Sequence, residues 1–201
     1  MRKYIIGKCM KIVSNNKNLD KTTLEEIEYG LIAIYILITK LIIIFAIAFI
    51  LGILKETFIF ILIYSIIRAF SFGMHANKSW ICLIISTIIM IGIPFISLHL
   101  NIPLYLKIIL GIITTLLIFK NSPADTVKRP IINPKRRKIY KIISTFIAII
   151  FTIISIFIDN NFISNCLIFS LIIQAIIISP LTYKLFKMPY NNYKKYLIQQ
   201  I

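Results

Sequence analysis

Acidic side chains are scarce in this chain: 201 residues carry 7 Asp and Glu against 23 Lys and Arg, a formal charge of +16 with histidine neutral. Charge of either sign is thin as well, at 15% of residues against 59% hydrophobic, where a soluble domain carries about 25% charged residues. Too little polar surface exists to coat a water-soluble fold, and so much apolar material excludes intrinsic disorder. Cysteine is limited to Cys9, Cys82 and Cys166. They are odd in number, far apart and without a CxxC pair, which excludes a disulfide framework and a zinc ribbon. No P-loop, zinc finger or aromatic RNA-binding motif accompanies the basic excess, so nucleic acid is not an expected partner. The charged start lacks the h-region of a removable signal peptide, because Lys8 and Lys11 interrupt its apolar run.

What is present is long apolar runs. A spanning helix takes about 20 apolar residues, and the expected spans are Gly30–Leu54, Thr57–Met74, Trp80–Leu100, Pro103–Phe119, Ile142–Ile158 and Phe162–Phe186. The second is the weakest, with Arg68 inside it, and the sixth carries Pro180 and Lys184. The expected fold is therefore all-α, a polytopic membrane protein of about six transmembrane helices. With six spans, every basic residue except Lys40, Lys55 and Lys107 falls on one side. The positive-inside rule makes that side cytoplasmic, with both termini on it, in a cell membrane. Lys40 and Lys107 lie within spans and are flagged as candidate cavity-facing groups, with no mechanism attached to them.

The organisation expected is an interfacial helical segment over 1–29, one transmembrane bundle over 30–186, and a cytoplasmic tail over 187–201. In the first segment Ile5, Ile6, Cys9, Met10, Ile12 and Val13 share a side and lysines the other, as in a helix lying on lipid. Thr23 and Glu26 match a capping box. The bundle carries two connections of interest, 68–82 and the basic loop 120–141. Oligomeric state is not legible, and a homodimer is the working expectation.

Titratable groups are few enough for a site to be found by elimination. Of the two histidines, His99 sits in a short connection without an acid or thiol near it in sequence. His75 precedes Cys82 by seven residues, and Cys82 opens the third span. Seven helical residues rise about 10.5 Å, too far for proton transfer, so the pair can react only if the chain bends between them. Gly73 frees the backbone before His75, and Asn77 and Ser79 are plausible N-caps. A thiol in the first turn of a helix, beside an imidazole, is favoured as thiolate and becomes a nucleophile. The same residues also suit a plain reading, a small apolar cysteine in a span and a histidine at the headgroups.

The stretch Arg68-x-x-Ser71-x-Gly73-x-His75, followed by Cys82, resembles the signature of the accessory gene regulator B (AgrB) family. A second patch, from Ser122 through Pro123, Ala124 and Asp125 to Pro130, is similar to that family's Ala-Pro…Pro segment. Phe72 and Ser122 depart from the pattern, standing where a glycine and an alanine are expected. The resemblance implies a membrane cysteine endopeptidase (thiol protease, a hydrolase) with His75 and Cys82 as catalytic dyad, no metal and no cofactor. It implies as substrate a small precursor peptide with an amphipathic N-terminus and an acidic C-terminus. Cleavage through a Cys82 thioester and thiolactone closure would then yield a quorum-sensing autoinducer. Arg68, Gly73, Asp125 and the run Lys135, Arg136, Arg137 and Lys138 are the second-tier candidates. Asp125 could orient His75 or pair with Arg68 or a local lysine. Arg68 could bind a substrate carboxylate or mark the interface, and the basic run could seat the acidic tail or only hold the loop inside. The alternative class is a non-enzymatic membrane transporter or binding subunit.

Overall fold

The computed structural model describes residues 2–14, 20–74, 79–126 and 130–198. These are all-helical, without a strand among the described residues: α1 (Arg2–Ser14), α2 (Lys21–Ile50), α3 (Leu54–Ser71), α4 (Ser79–His99), α5 (Leu104–Asn121), α6 (Pro134–Phe157), α7 (Asn161–Ile177), α8 (Pro180–Leu185) and α9 (Tyr193–Ile198). The chain divides into two units, Met1–Ile50 and Leu51–Ile201.

In the first unit α1 packs on α2. Ile6 is buried while Ile5 and Ile12 stay exposed. The expected helix start at Thr23 is displaced. The Asp20 carboxylate accepts from the Thr23 N–H at 3.3 Å and from the Thr22 hydroxyl, so Asp20 closes the N-terminus and Thr23 lies inside the helix. Those hydrogen bonds hold the exposed Asp20 carboxyl below its ordinary range, which keeps it anionic at the positive end of the helix dipole. From there α2 runs unbroken across the expected boundary at residue 29 for 30 residues, about 45 Å. That exceeds the roughly 30 Å hydrocarbon core, so its polar first turns, through Glu25, Glu26 and Glu28, project beyond it.

In the second unit α7 is the axis. It touches α4, α3, α6 and α5, and contacts between α4 and α3, α3 and α6, and α6 and α5 join these four into a partial ring around it. A helix apolar all round belongs inside, and α7 buries Cys166, Leu167, Ile168, Leu171 and Ile173 together with Ser164, Asn165, Ser170 and Gln174. Each polar member makes at least one hydrogen bond. Asn165 Nδ2 donates to the carbonyls of Ser97, at 3.1 Å, and Leu100, at 2.6 Å, at the C-terminal end of α4, where helix carbonyls lack intrahelical donors. Ser164 donates to the Ser155 carbonyl of α6.

Four helices, α2, α4, α5 and α6, are long and apolar enough to cross a membrane. The second expected span is α3, which carries Lys55, Glu56 and Arg68 and ends at Ser71, short of Met74. The sixth breaks after α7, a 17-residue helix. Ser179 restarts the chain as N-cap to Pro180 by accepting from the Leu181 N–H at 3.3 Å, and proline cannot continue a helix from within. Residues 187–193 are held to the bundle. Met188 N–H donates to the Tyr183 carbonyl at 2.8 Å, and Met188 and Tyr190 pack on the core.

The α5–α6 contact depends on Gly111. A Cβ there would overlap Thr152 Cγ2 and lie 2.9 Å from its Oγ1, with the threonine itself fixed by its bond to the Ala148 carbonyl. Gly111→Ala is expected to destabilise the detergent-solubilised protein by about 1–3 kcal/mol, the usual cost of overpacking. Thr152→Ala in the same chain should recover most of that loss. A thermal melt of the single and double variants measures both.

Candidate functional site

The connection between α3 and α4 leaves the helix at a backbone turn that few residue types accept. Phe72 takes φ 57° and ψ −131° and Gly73 φ 119°, both on the side of the map that glycine enters freely and other residues seldom do. Phe72 is the position where the family pattern led us to expect glycine, and its geometry gives the reason. The phenylalanine is held there by its surroundings. Its ring meets Tyr140 edge-on at 5.0 Å, and its carbonyl accepts from Gln174 Nε2 of α7 at 2.8 Å.

Gly73 has a second requirement. A Cβ would stand 2.8 Å from Ile177 Cγ2 and 3.0 Å from Arg68 Nη1. Arg68 lies across the same turn, with Nη2 donating to the Met74 carbonyl at 3.0 Å and Nη1 to the Tyr64 hydroxyl at 3.4 Å. Within the described residues Arg68 therefore closes the turn.

The turn is paired with the start of the basic loop. Gly73 N–H donates to the Ala124 carbonyl at 2.9 Å, and Ala124 N–H to the Ser71 carbonyl at 3.1 Å, a parallel bridge between Phe72 and Ala124. Ser122, also off the family pattern, is buried and shares a 2.6 Å hydrogen bond with Ser144 of α6. The two sequence patches that carry the resemblance are thus one structural unit.

Asp125 follows Ala124 and is buried. Its carboxylate accepts from the backbone N–H groups of Asn192, at 3.0 Å, and Tyr193, at 2.8 Å. Its ion pair is with Arg137, at 3.7 Å, and its carbonyl accepts from the Tyr183 hydroxyl at 2.9 Å. The Arg137 guanidinium lies 3.4 Å over the Tyr193 ring. Nearby, burial pushes the Tyr190 phenol up, against the opposing pull of Arg137. Among the described residues the contacts of Asp125 tie residues 192–193 to the bundle, and its ion pair there is with Arg137.

Of the basic run, Arg137 is half-buried in that junction, while Lys135, Arg136 and Lys138 are exposed. Asn133 caps α6 by accepting from the N–H groups of Lys135, at 2.9 Å, and Arg136, at 3.3 Å. Cations at a helix N-terminus oppose its dipole, so these three are not there to stabilise α6.

Cys82 is the fourth residue of α4, which begins at Ser79 itself, and so stays in the first turn as expected. Its side chain is half-buried and free, whereas Cys166 is fully enclosed in α7. His75 lies outside the described residues. Among the described residues no cluster of three metal-ligating side chains occurs. His99, by contrast, bonds the Phe95 carbonyl through Nδ1 at 2.8 Å, a local helix-end contact.

Sequence reasoning missed Gln174, Tyr183 and Asn192. Gln174 did carry a signal, because a lone amide in an apolar run is costly in a membrane without a partner.

A helical membrane protein with a half-buried thiol at the first turn of one helix, behind a pinned turn, is the class these features define. Comparison with known sequences places it further. The description "Accessory gene regulator B" matches residues 6–178, and the chain belongs to that family. It is 29% identical to a putative AgrB-like protein of Clostridium acetobutylicum, over 96% of this chain and 94% of the relative. It is 36% identical to a putative AgrB-like protein of Listeria innocua, over 85% and 84%, and 33% identical to the accessory gene regulator protein B of Staphylococcus carnosus, over 75% and 78%. No solved structure matches the chain. Membership fits a role in quorum sensing.

Asp125→Ala should release the C-terminal segment without unfolding the bundle. The expected result is faster protease cleavage between residues 187 and 198 in solubilised protein, read by mass spectrometry, with the helical signal unchanged.

Proposed function

We propose that the protein is a cysteine endopeptidase of the membrane that processes a small precursor peptide into a cyclic autoinducer, with His75 and Cys82 as its dyad. One observation carries the reading: Cys82 stands in the first turn of α4, at the family's seven-residue interval from His75, in a chain that matches the family over residues 6–178.

The chemistry follows from the residue types. The His75 imidazole takes the Cys82 proton, and the thiolate attacks a peptide carbonyl of the precursor. The C–N bond breaks, the new amine leaves with the proton from His75, and the acyl group remains as a thioester on Cys82. A cysteine thiol of the peptide gives its proton to His75 and attacks that thioester. Its new C–S bond closes a thiolactone ring, and Cys82 departs as thiolate. Thioester is exchanged for thioester, so the step is close to neutral and depends on holding the ends together and keeping water out. The half-buried setting of Cys82 suits both needs. Placing both termini and this site at the cytoplasmic face follows from the lopsided basic charge.

Cys82→Ala is expected to abolish cleavage of a co-expressed precursor, and Cys82→Ser to reduce it nearly as far, because a hydroxyl needs a stronger base. His75→Ala should lose cleavage and keep insertion, whereas Cys9→Ala and Cys166→Ala should leave cleavage close to wild type. Mass spectrometry of the peptide decides these. A transporter or binding subunit, the competing reading, predicts no covalent peptide adduct on Cys82 and no effect of Cys82→Ala on the peptide's mass.

The exposed cations at the start of α6 are the proposed seat of an acidic precursor tail. Neutralising Lys135, Arg136 and Lys138 together, with Arg137 kept for Asp125, should raise KM several-fold at low salt, and added salt should erase the difference. Unchanged kinetics in inserted protein would remove this docking role.

A further inference from the structure

The amide of Gln174 is the feature of the second unit that the peptidase reading leaves unused. It is fully buried at the last full turn of α7, more than a hundred residues from the Phe72 carbonyl to which Nε2 donates at 2.8 Å. A carbonyl acceptor fixes the amide's orientation, since only the NH₂ end can serve it. Oε1 is left buried without a hydrogen-bond partner among the described residues, a costly arrangement that a leucine would avoid.

The bond acts on one backbone position. Phe72 holds a positive-φ conformation that is strained for a residue with a Cβ, and its carbonyl direction sets the course of the chain into Gly73 and Met74. Around it, Ile177 of α7 and its C-cap Ile178 leave no room for a Cβ at Gly73, Arg68 holds the Met74 carbonyl, and Ala124 holds the Gly73 N–H. Among the side chains that hold this turn by hydrogen bonds, Arg68 belongs to the helix the turn leaves, whereas Gln174 comes from the bundle axis.

We infer that Gln174 is a positioning residue of the peptidase: its amide N–H holds the Phe72 carbonyl and so fixes the turn at Phe72–Met74 on which the proposed dyad depends. It does not touch the substrate. This inference rests on the peptidase reading above, and the experiment separates the two.

The precursor is cleaved in proteoliposomes by wild type, Cys82→Ala, Gln174→Leu and Gln174→Glu, with kcat and KM measured across about pH 6 to 8. Gln174→Leu, having no donor, should lose roughly tenfold or more in kcat at every pH with KM near wild type, the signature of lost orientation. Gln174→Glu has the size of glutamine, and burial raises the pKa of a carboxyl there. Protonated, it donates O–H to the Phe72 carbonyl; ionised, it repels that oxygen. Its kcat as a fraction of wild type should therefore be highest at the acid end and fall as pH rises, which a mere packing role would not produce. Should Gln174→Leu fail to accumulate, Gln174→Glu decides alone. Wild-type kcat in Gln174→Leu, or a Gln174→Glu fraction that does not change with pH, overturns the inference while the peptidase reading stands. Cleavage that survives Cys82→Ala overturns the peptidase reading and the inference with it.

Discussion

The pairing of two irregular segments, Ser71–Gly73 with Ala124, is the constraint on which the rest of the second unit depends. Non-helical backbone within or beside an apolar bundle must find donors and acceptors in the protein, because lipid offers none. Here each segment supplies what the other lacks: Gly73 N–H meets the Ala124 carbonyl, and Ala124 N–H meets the Ser71 carbonyl. Both ends of the arrangement are then loaded. On one side the chain passes through the positive φ of Phe72 and Gly73 towards His75. On the other it passes to Asp125, which gathers Asn192, Tyr193 and Arg137.

That junction explains the placement of the only acid in the large basic loop. In a chain of net charge +16 a buried carboxylate is easily neutralised by a cation. The stronger requirement is geometric: two backbone N–H groups and one guanidinium must converge on it. A buried carboxylate is tolerated only when its oxygens are so engaged. The same junction divides the basic run by function. Arg137, flat over Tyr193, belongs to the fold, and its neighbours Lys135, Arg136 and Lys138 face outward.

Much of the helical layout was legible in apolar run length, since α4, α5 and α6 begin or end close to where hydropathy changes. Three boundaries were not, each for a local reason. The start of α2 was set by the Asp20 side chain, because an aspartate and a threonine three residues apart are equally good caps on paper. The end of α3 was set by Phe72, whose positive φ depends on partners from α6 and α7. The break after Ile177 came from Ser179 and Pro180, a cap-proline pair legible in hindsight. At the site, the spacing of His75 and Cys82 and the importance of Gly73 could be read from sequence. The company of Asp125 could not, because Asn192 and Tyr193 are donors through their backbone, which leaves no mark on residue type.

The two halves of the resemblance are far apart in sequence, yet α7 gives them a common reference. Near one end Asn165 holds the Ser97 and Leu100 carbonyls, where α4 finishes. Near the other Gln174 holds the Phe72 carbonyl, in the connection from which α4 sets out. The helix that carries Cys82 is therefore registered against α7 at its far end by Asn165, and the turn at Phe72 is held to the same helix by Gln174. A sliding or tilting of α4 along α7 would break a hydrogen bond in a medium that offers no replacement. The proposed acyl transfer between two thiols would need that kind of constancy more than binding energy, because substrate and product thioesters differ little and only fixed distances favour ring closure over water. The polar residues of α7, which dilute an otherwise apolar core, are thus what the proposed cysteine site would require of a lipid-facing bundle.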